Sequence, residues 1–365
     1  MHRQPAAGGD ANAARSSSPL AEPGWKVIVG WDHAEPTEDV VPPPPKGFFP
    51  RLNWVAVAFV QILRRVAWFA HQRPDVVSIH SADPIRSLAC LLAARLALRK
   101  RCYLSWYASG VPFDSPRLVG FLARRLATGF VLISTDALDA ARSFGVPPER
   151  LFLVRPGVTV PPRDPARRDT ARRVHLLADD EFVALSVARL VPSKGVNDAI
   201  RALASLTTPK AVTLIVAGDG PEADSLKELA ANLVPGHVRF VGWVAHDALQ
   251  SLYAAADVFV LPSRREGFPM VYAEAAMYGV ASIACDVFGV RDAVRDGETG
   301  LLVPPGDERA LSAALQRLHD EPVLRASLGD AARARAESEL TLERMITDYK
   351  TVLGPGTTRL QQAST

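Results

Sequence analysis

The chain has 365 residues, 48% hydrophobic and 22% charged, with a formal net charge of +3 at pH 7. That length is enough for two domains with a core each. The three cysteines, Cys90, Cys102 and Cys285, share no metal-ligand spacing, form no disulfide framework and suit a reducing compartment. The charge is uneven: Met1 to Gly157 carries 19 Lys and Arg against 12 Asp and Glu, a basic half that suits peripheral contact with anionic membrane or an anionic acceptor. With neither a basic–aromatic stripe nor a recognised module, no nucleic-acid partner is expected.

Residues 1–24 are rich in Ala, Gly, Ser and Pro and lack the apolar core of a signal peptide, so they read as a flexible tail. Alternating elements follow. Trp25–Val29 reads as a strand, Leu52 to His71 as a helix, Asp75–Ile79 as a strand and Ile85–Leu98 as a helix. Cys102–Trp106 reads as a strand, Pro116–Ala127 as a helix and Phe130–Ser134 as a strand, before a helix ending near Gly145. The longest mostly apolar stretch, Trp54 to Leu63, contains Gln61 and stops at Arg64, too short to cross a bilayer. Leu151–Val154 closes a first domain at 25–157, and Pro156–Pro162 is a linker. A second domain spans 158–340, and 341–365 form a last helix and tail. Such alternation predicts a parallel sheet with helices on both faces. The helix at Pro116–Ala127 gathers Leu118, Phe121, Leu122 and Leu126 near one face, with Arg117, Arg124 and Arg125 on the others. This is a buried face with a charged rim, or a membrane-surface helix.

The chemistry concentrates in the second domain. Strand Phe182–Ala188 runs into Arg189-Leu-Val-Pro-Ser-Lys194-Gly195, which delivers two cations to a strand's C-terminal end, where open α/β sheets bind ligands. Arginine grips phosphate oxygens in pairs, and lysine adds a point charge. Strand Val212–Ala217 leads into Gly218-Asp-Gly220, a turn allowing close backbone approach. With Ala223 in the third position it is a degraded dinucleotide fingerprint. Strand Asp257–Leu261 precedes Glu266-Gly267-Phe268-Pro269-Met270-Val271 and a helix carrying Glu274 and ending at Gly279. The free N–H groups of Met270 and Val271 attract a phosphate, so carboxylates beside them suit an uncharged, hydroxyl-rich group such as a ribose or hexose. No two aspartates stand two apart, so no Asp-x-Asp metal motif is present, and metal ligands and cofactors are expected to be none.

These segments, from A-R-L-V-P-S-K-G through V-A-G-D-G-P, R-F-V-G-W-V, L-Y-A-A-A-D-V-F-V-L-P-S and E-G-F-P-M-V-Y-A-E-A to G-E-T-G-L-L-V, resemble the nucleotide-binding half of the retaining glycosyltransferases of family 4. The resemblance covers about Val183 to Val303. It implies an α/β protein of two Rossmann-like domains, the GT-B fold, whose last helix crosses back to the first domain. It also implies metal-independent transfer, with retention, from a nucleoside-diphosphate sugar to a saccharide or lipid-linked saccharide. Arg189 and Lys194 would hold the diphosphate, Glu274 the ribose, and Glu266 the transferred sugar as the catalytic residue. Gly242, Trp243 and Val244 would frame the base. The Phe288-Gly-Val-Arg-Asp292 segment carries Asp where the family usually has Glu. In the first domain the family's opening strand and Gly-Gly loop have no counterpart, as Gly8-Gly9 sits in the tail, so this domain reads as shortened at its start. His80 and Tyr107 are the acceptor-side candidates, Tyr107 standing where the family usually has His. The expected location is the cytoplasm or the cytoplasmic face of the membrane. The alternative expectation is a nucleotide-sugar-binding or scaffold paralogue that lacks the first strand and loop.

Overall fold

A computed structural model describes residues 76–81, 84–98, 101–107, 117–164, 166–207 and 212–354. The predicted tail, the strand at Trp25, the helix from Leu52 and the apolar stretch at Trp54 lie outside these. The chain divides into two compact units: one holds the described residues up to Val154 and from Ile346, the other Arg155–Met345.

The first unit is a four-stranded parallel sheet in the order β1-β2-β3-β4, with β1 Val76–Ser81, β2 Arg101–Trp106, β3 Gly129–Leu132 and β4 Leu151–Leu153. Helices α1 (Pro84–Leu98), α2 (Arg117–Leu126) and α3 (Thr135–Ser143) connect the strands. Ser134 caps α3, its hydroxyl accepting from the Ala137 N–H. Of the predicted apolar face of α2, Leu122 and Leu126 are half-buried and Phe121 is 51% exposed, whereas Ala123, outside that face, is buried.

The second unit contains α4 (Arg167–Val174), β5 (Phe182–Val187), α5 (Val196–Ala204), β6 (Val212–Ala217), α6 (Ala223–Leu233), β7 (Val238–Gly242), α7 (His246–Ala255) and β8 (Val258–Leu261). It continues through α8 (Met270–Met277), β9 (Ala281–Cys285), β10 (Gly300–Val303), α9 (Glu308–Asp320) and α10 (Pro322–Glu339) to the start of α11 (Leu342–Leu353). All six strands are parallel, in the order β10-β9-β8-β5-β6-β7. Every residue of β5, β6, β8 and β9 is buried. That explains their nearly unbroken apolar sequences, since a parallel sheet covered by helices has no wet face. Each fully buried Val, Leu or Phe side chain contributes about 1.5–3 kcal/mol.

Sequence periodicity misses α4, whose R-R-D-T-A-R-R-V carries almost no apolar stripe. Polar bonds hold it instead. Arg172, 1% exposed, donates to the carbonyls of Ala178 and Glu181 and pairs with Asp257 at 2.7 Å. Arg168 takes the other Asp257 oxygen at 2.7 Å, and the Val183 N–H donates to the same carboxylate. Among the described residues, no helix is long and apolar enough to cross a membrane.

Candidate donor site at the switch point

The order of the six strands reverses between β5 and β8, so the loops leaving their C-terminal ends flank the crevice where an open α/β sheet takes its ligand. These two loops carry Arg189, Lys194 and Glu266. After β5 the chain forms a 3-10 turn over Pro192–Lys194 and passes through Gly195 at φ +68. A side chain at Gly195 would strike the carbonyl of Pro262 in the β8 loop, so only glycine lets the loops meet here. The Arg264 N–H donates to the Ser193 carbonyl at 2.8 Å, and the Arg264 guanidinium pairs with buried Asp198 at 3.1 Å. The third link is chemical: Lys194 Nζ donates to Glu266 Oε1 at 2.6 Å. The lysine side chain is 24% exposed and the glutamate 9%. The Arg189 side chain is exposed and makes no hydrogen bond or ion pair among the described residues.

Helix α8 begins after Pro269 with no side chain capping it, so the half-buried first turn at Met270 and Val271 has N–H groups to offer. Gly267 is half-buried and Phe268 buried. Glu274 is buried on α8 and receives the Tyr253 hydroxyl at 2.8 Å. Burial first, and then the Glu274 carboxylate, push the Tyr253 phenol well above its usual range, so it stays a donor. Tyr272 donates to the Leu261 carbonyl and ties α8 to the end of β8.

The turn glycines serve a neighbour in the protein. A Cβ at Gly218 (φ +142) would meet the Ala188 carbonyl, and one at Gly220 the Leu190 carbonyl. The backbone they admit is therefore that of the Arg189 loop, which is further held by Leu190 N–H donating to the Asp219 carbonyl at 2.9 Å. Gly242 sits at φ +70 on an open turn, with Trp243 62% exposed and Val244 half-buried. Gly289, also left-handed, lies against the Gly267 carbonyl. Asp292, which stands at the family's glutamate position, pairs with Arg155 at 2.9 Å and is buried.

In the first unit, His80 and Tyr107 meet at the C-terminal edge of the sheet. His80 Nδ1 and the Tyr107 hydroxyl are 2.8 Å apart, and Ser78 Oγ lies 3.1 Å from Nε2. The Tyr107 hydroxyl bonds that of Tyr349 on α11 at 2.5 Å, and the imidazole packs 5.5 Å from both phenol rings. Loss of hydration lowers the His80 pKa to about 4, so the ring is neutral. The neutral ring presents one nitrogen as donor and one as acceptor. The two sets of residues, Arg189, Lys194, Glu266 and Glu274 in one unit and His80 and Tyr107 in the other, are each assembled within their own unit. Sequence reasoning missed Tyr253, Arg264, Asp198 and Tyr349. Of these, only Tyr253 lies in a quoted motif, L-Y-A-A-A-D. Among the described residues, no group of three or more His, Cys, Asp or Glu is placed to hold a metal.

Two parallel Rossmann-like sheets, with basic and acidic loops at the switch point of the second, are the architecture of the GT-B fold. Residues 167–335 match the Glycosyl transferases group 1 family, and residues 17–160 match Glycosyltransferase Family 4. The D-inositol 3-phosphate glycosyltransferase of Rhodococcus opacus is 31% identical over 298 residues, covering 78% of this chain and 64% of that protein. Its counterpart in Thermomonospora curvata is 31% identical over 309 residues, covering 78% and 68%. The chain thus spans about two thirds of the length of these curated relatives. The crystal structure of Anabaena HepE with UDP has the same fold, with a TM-score of 0.72 at 23% identity, covering 80% of this chain and 81% of that one. The chain belongs to glycosyltransferase family 4.

Proposed function

We propose that the protein transfers a hexose-type sugar from a nucleoside-diphosphate sugar to a hydroxyl of a saccharide or lipid-linked saccharide, with retention and without a metal. The observation that carries this reading is the placement of Arg189, Lys194 and Glu266 on the two loops at the switch point, beside the uncapped start of α8. The bond from the sugar's C1 to the diphosphate oxygen breaks with its electron pair on the diphosphate. Arg189, Lys194 and the N–H groups of Met270 and Val271 meet that charge, an electrostatic effect worth several kcal/mol in enzymes. The acceptor oxygen bonds to C1 on the same face, and its proton leaves with the diphosphate. Glu266 orients the sugar and opposes positive charge at its ring. Glu274 takes the ribose hydroxyls, while Gly242, Trp243 and Val244 frame the base. On the acceptor side, His80 and Tyr107 offer uncharged donors and acceptors.

Uridine donors are the first to test, because HepE binds UDP and UDP-glucose. The test incubates purified protein with UDP- and GDP-sugars and a saccharide panel and reads the anomeric configuration of the product by NMR. Transfer with retention that is unchanged by EDTA supports the proposal. Activity that returns only with a divalent ion, or an inverted product, refutes the mechanism. The location proposed is the cytoplasm, peripheral to the membrane, with α2, on which Phe121 and Arg125 are exposed, meeting anionic lipid. Cosedimentation with phosphatidylglycerol vesicles that Phe121→Glu does not weaken would refute that contact.

A further inference from the structure

The two cations of the donor site are not equivalent. The Arg189 side chain is exposed and unpartnered among the described residues, so a phosphate can engage its guanidinium without breaking an existing bond. Lys194 is already bound to Glu266 at 2.6 Å, and both side chains are largely removed from water. Glu266 has no ready replacement in neighbouring Arg264, whose guanidinium is held by buried Asp198. Nor can the carboxylate follow a departing lysine by moving its loop. Gly195 against the Pro262 carbonyl and the Arg264 N–H on the Ser193 carbonyl fasten the two loops together.

A diphosphate that draws Lys194 away therefore leaves Glu266 charged, poorly hydrated and close to the phosphate. Uncompensated charges in such places are strongly unfavourable. The terminal phosphate of a nucleoside diphosphate, with a second pKa of about 6, adds a further negative charge at neutral pH. A nucleotide sugar differs on both counts: it lacks that extra charge, and its sugar hydroxyls donate to the carboxylate that Lys194 releases. We propose that the Lys194–Glu266 pair is the element by which the site discriminates the sugar-bearing donor from the bare nucleoside diphosphate. It favours donor capture and hastens product release. The inference rests on the donor-site reading above.

The test is calorimetry with two ligand pairs, UDP with UDP-glucose and GDP with GDP-mannose, on wild type, Glu266→Gln and Glu274→Gln, each checked for folding by thermal melting. Glu266→Gln keeps the side chain's size and removes its charge. It should tighten the bare diphosphate about tenfold, while the nucleotide sugar gains less or loses affinity, so their ratio shifts by about tenfold or more. Glu274→Gln, facing the ribose common to both ligands, should weaken both alike and leave the ratio unchanged. Should Glu266→Gln not fold, Glu266→Ala reports the same ratio. If wild type binds both members of a pair and the Glu266 variant keeps their ratio within twofold, the discrimination role is overturned and the donor site stands. If wild type binds neither pair, the donor site itself is refuted and the inference falls with it.

Discussion

The Tyr253 hydroxyl on α7 donates to Glu274 Oε2 on α8 at 2.8 Å, and both side chains are buried. This bond fixes the direction in which the carboxylate presents its remaining lone pairs. Tyr253→Phe leaves the shape of the site intact but strips the carboxylate of its donor, at a cost of about 1–3 kcal/mol. The expected outcome is a lower melting temperature together with weaker binding of UDP and UDP-glucose by the same factor. Unchanged affinity for both in a folded variant would show that Glu274 takes no part in nucleotide recognition.

Arg189→Ala should weaken nucleoside diphosphates much more than monophosphates, by about 1.5–3 kcal/mol for a lost charge-assisted bond. It should leave the melting temperature near wild type, because the side chain is exposed and holds nothing among the described residues. Lys194→Ala should weaken diphosphates and also lower the melting temperature, because Glu266 loses its counter-ion. Calorimetry with UMP and UDP beside thermal unfolding separates the two cations.

Stability of the second unit should depend on Asp257. Arg172 is 2% exposed at its side chain and Asp257 is 7% exposed, with 2.7 Å between them. Removing one member leaves the other charge buried and unpaired, a loss of about 3–5 kcal/mol. Asp257→Ala should therefore shift the urea midpoint strongly downward. Glu298→Ala, which breaks an exposed pair with Arg295, should cost no more than about 1 kcal/mol and move the midpoint little.

Tyr349→Phe tests the acceptor side. It removes the hydroxyl that Tyr107 meets at 2.5 Å and keeps the ring that packs on His80. Once an acceptor is found, transfer to it should fall about tenfold, with the loss in the acceptor's KM or in kcat, while UDP affinity stays unchanged. A parallel loss of UDP binding would mean that the substitution acts through general destabilisation.

Much of the second unit was legible because a parallel sheet covered on both faces demands apolar strands. Val212–Ala217 could be read from its residues alone, as could the cations after Phe182–Val187 and the two glutamates around Pro269. Local sequence dictates such features, since strand burial, left-handed glycines and helix starts depend on near neighbours. Pairings between distant residues lay beyond it. Lys194 and Glu266 are 72 positions apart, and Tyr107 and Tyr349 are 242 apart. Read singly, Lys194 is a free phosphate ligand and Tyr349 an ordinary helix residue. Helix α4 escaped for the related reason that Asp257, some 85 residues away, stabilises it in place of an apolar stripe. The sequence by itself determined which chemical groups reach the ends of the strands. Only the tertiary structure decided which charges neutralise one another there and which remain open to a ligand, because Coulomb and hydrogen-bond energies depend on distances that chain folding alone sets.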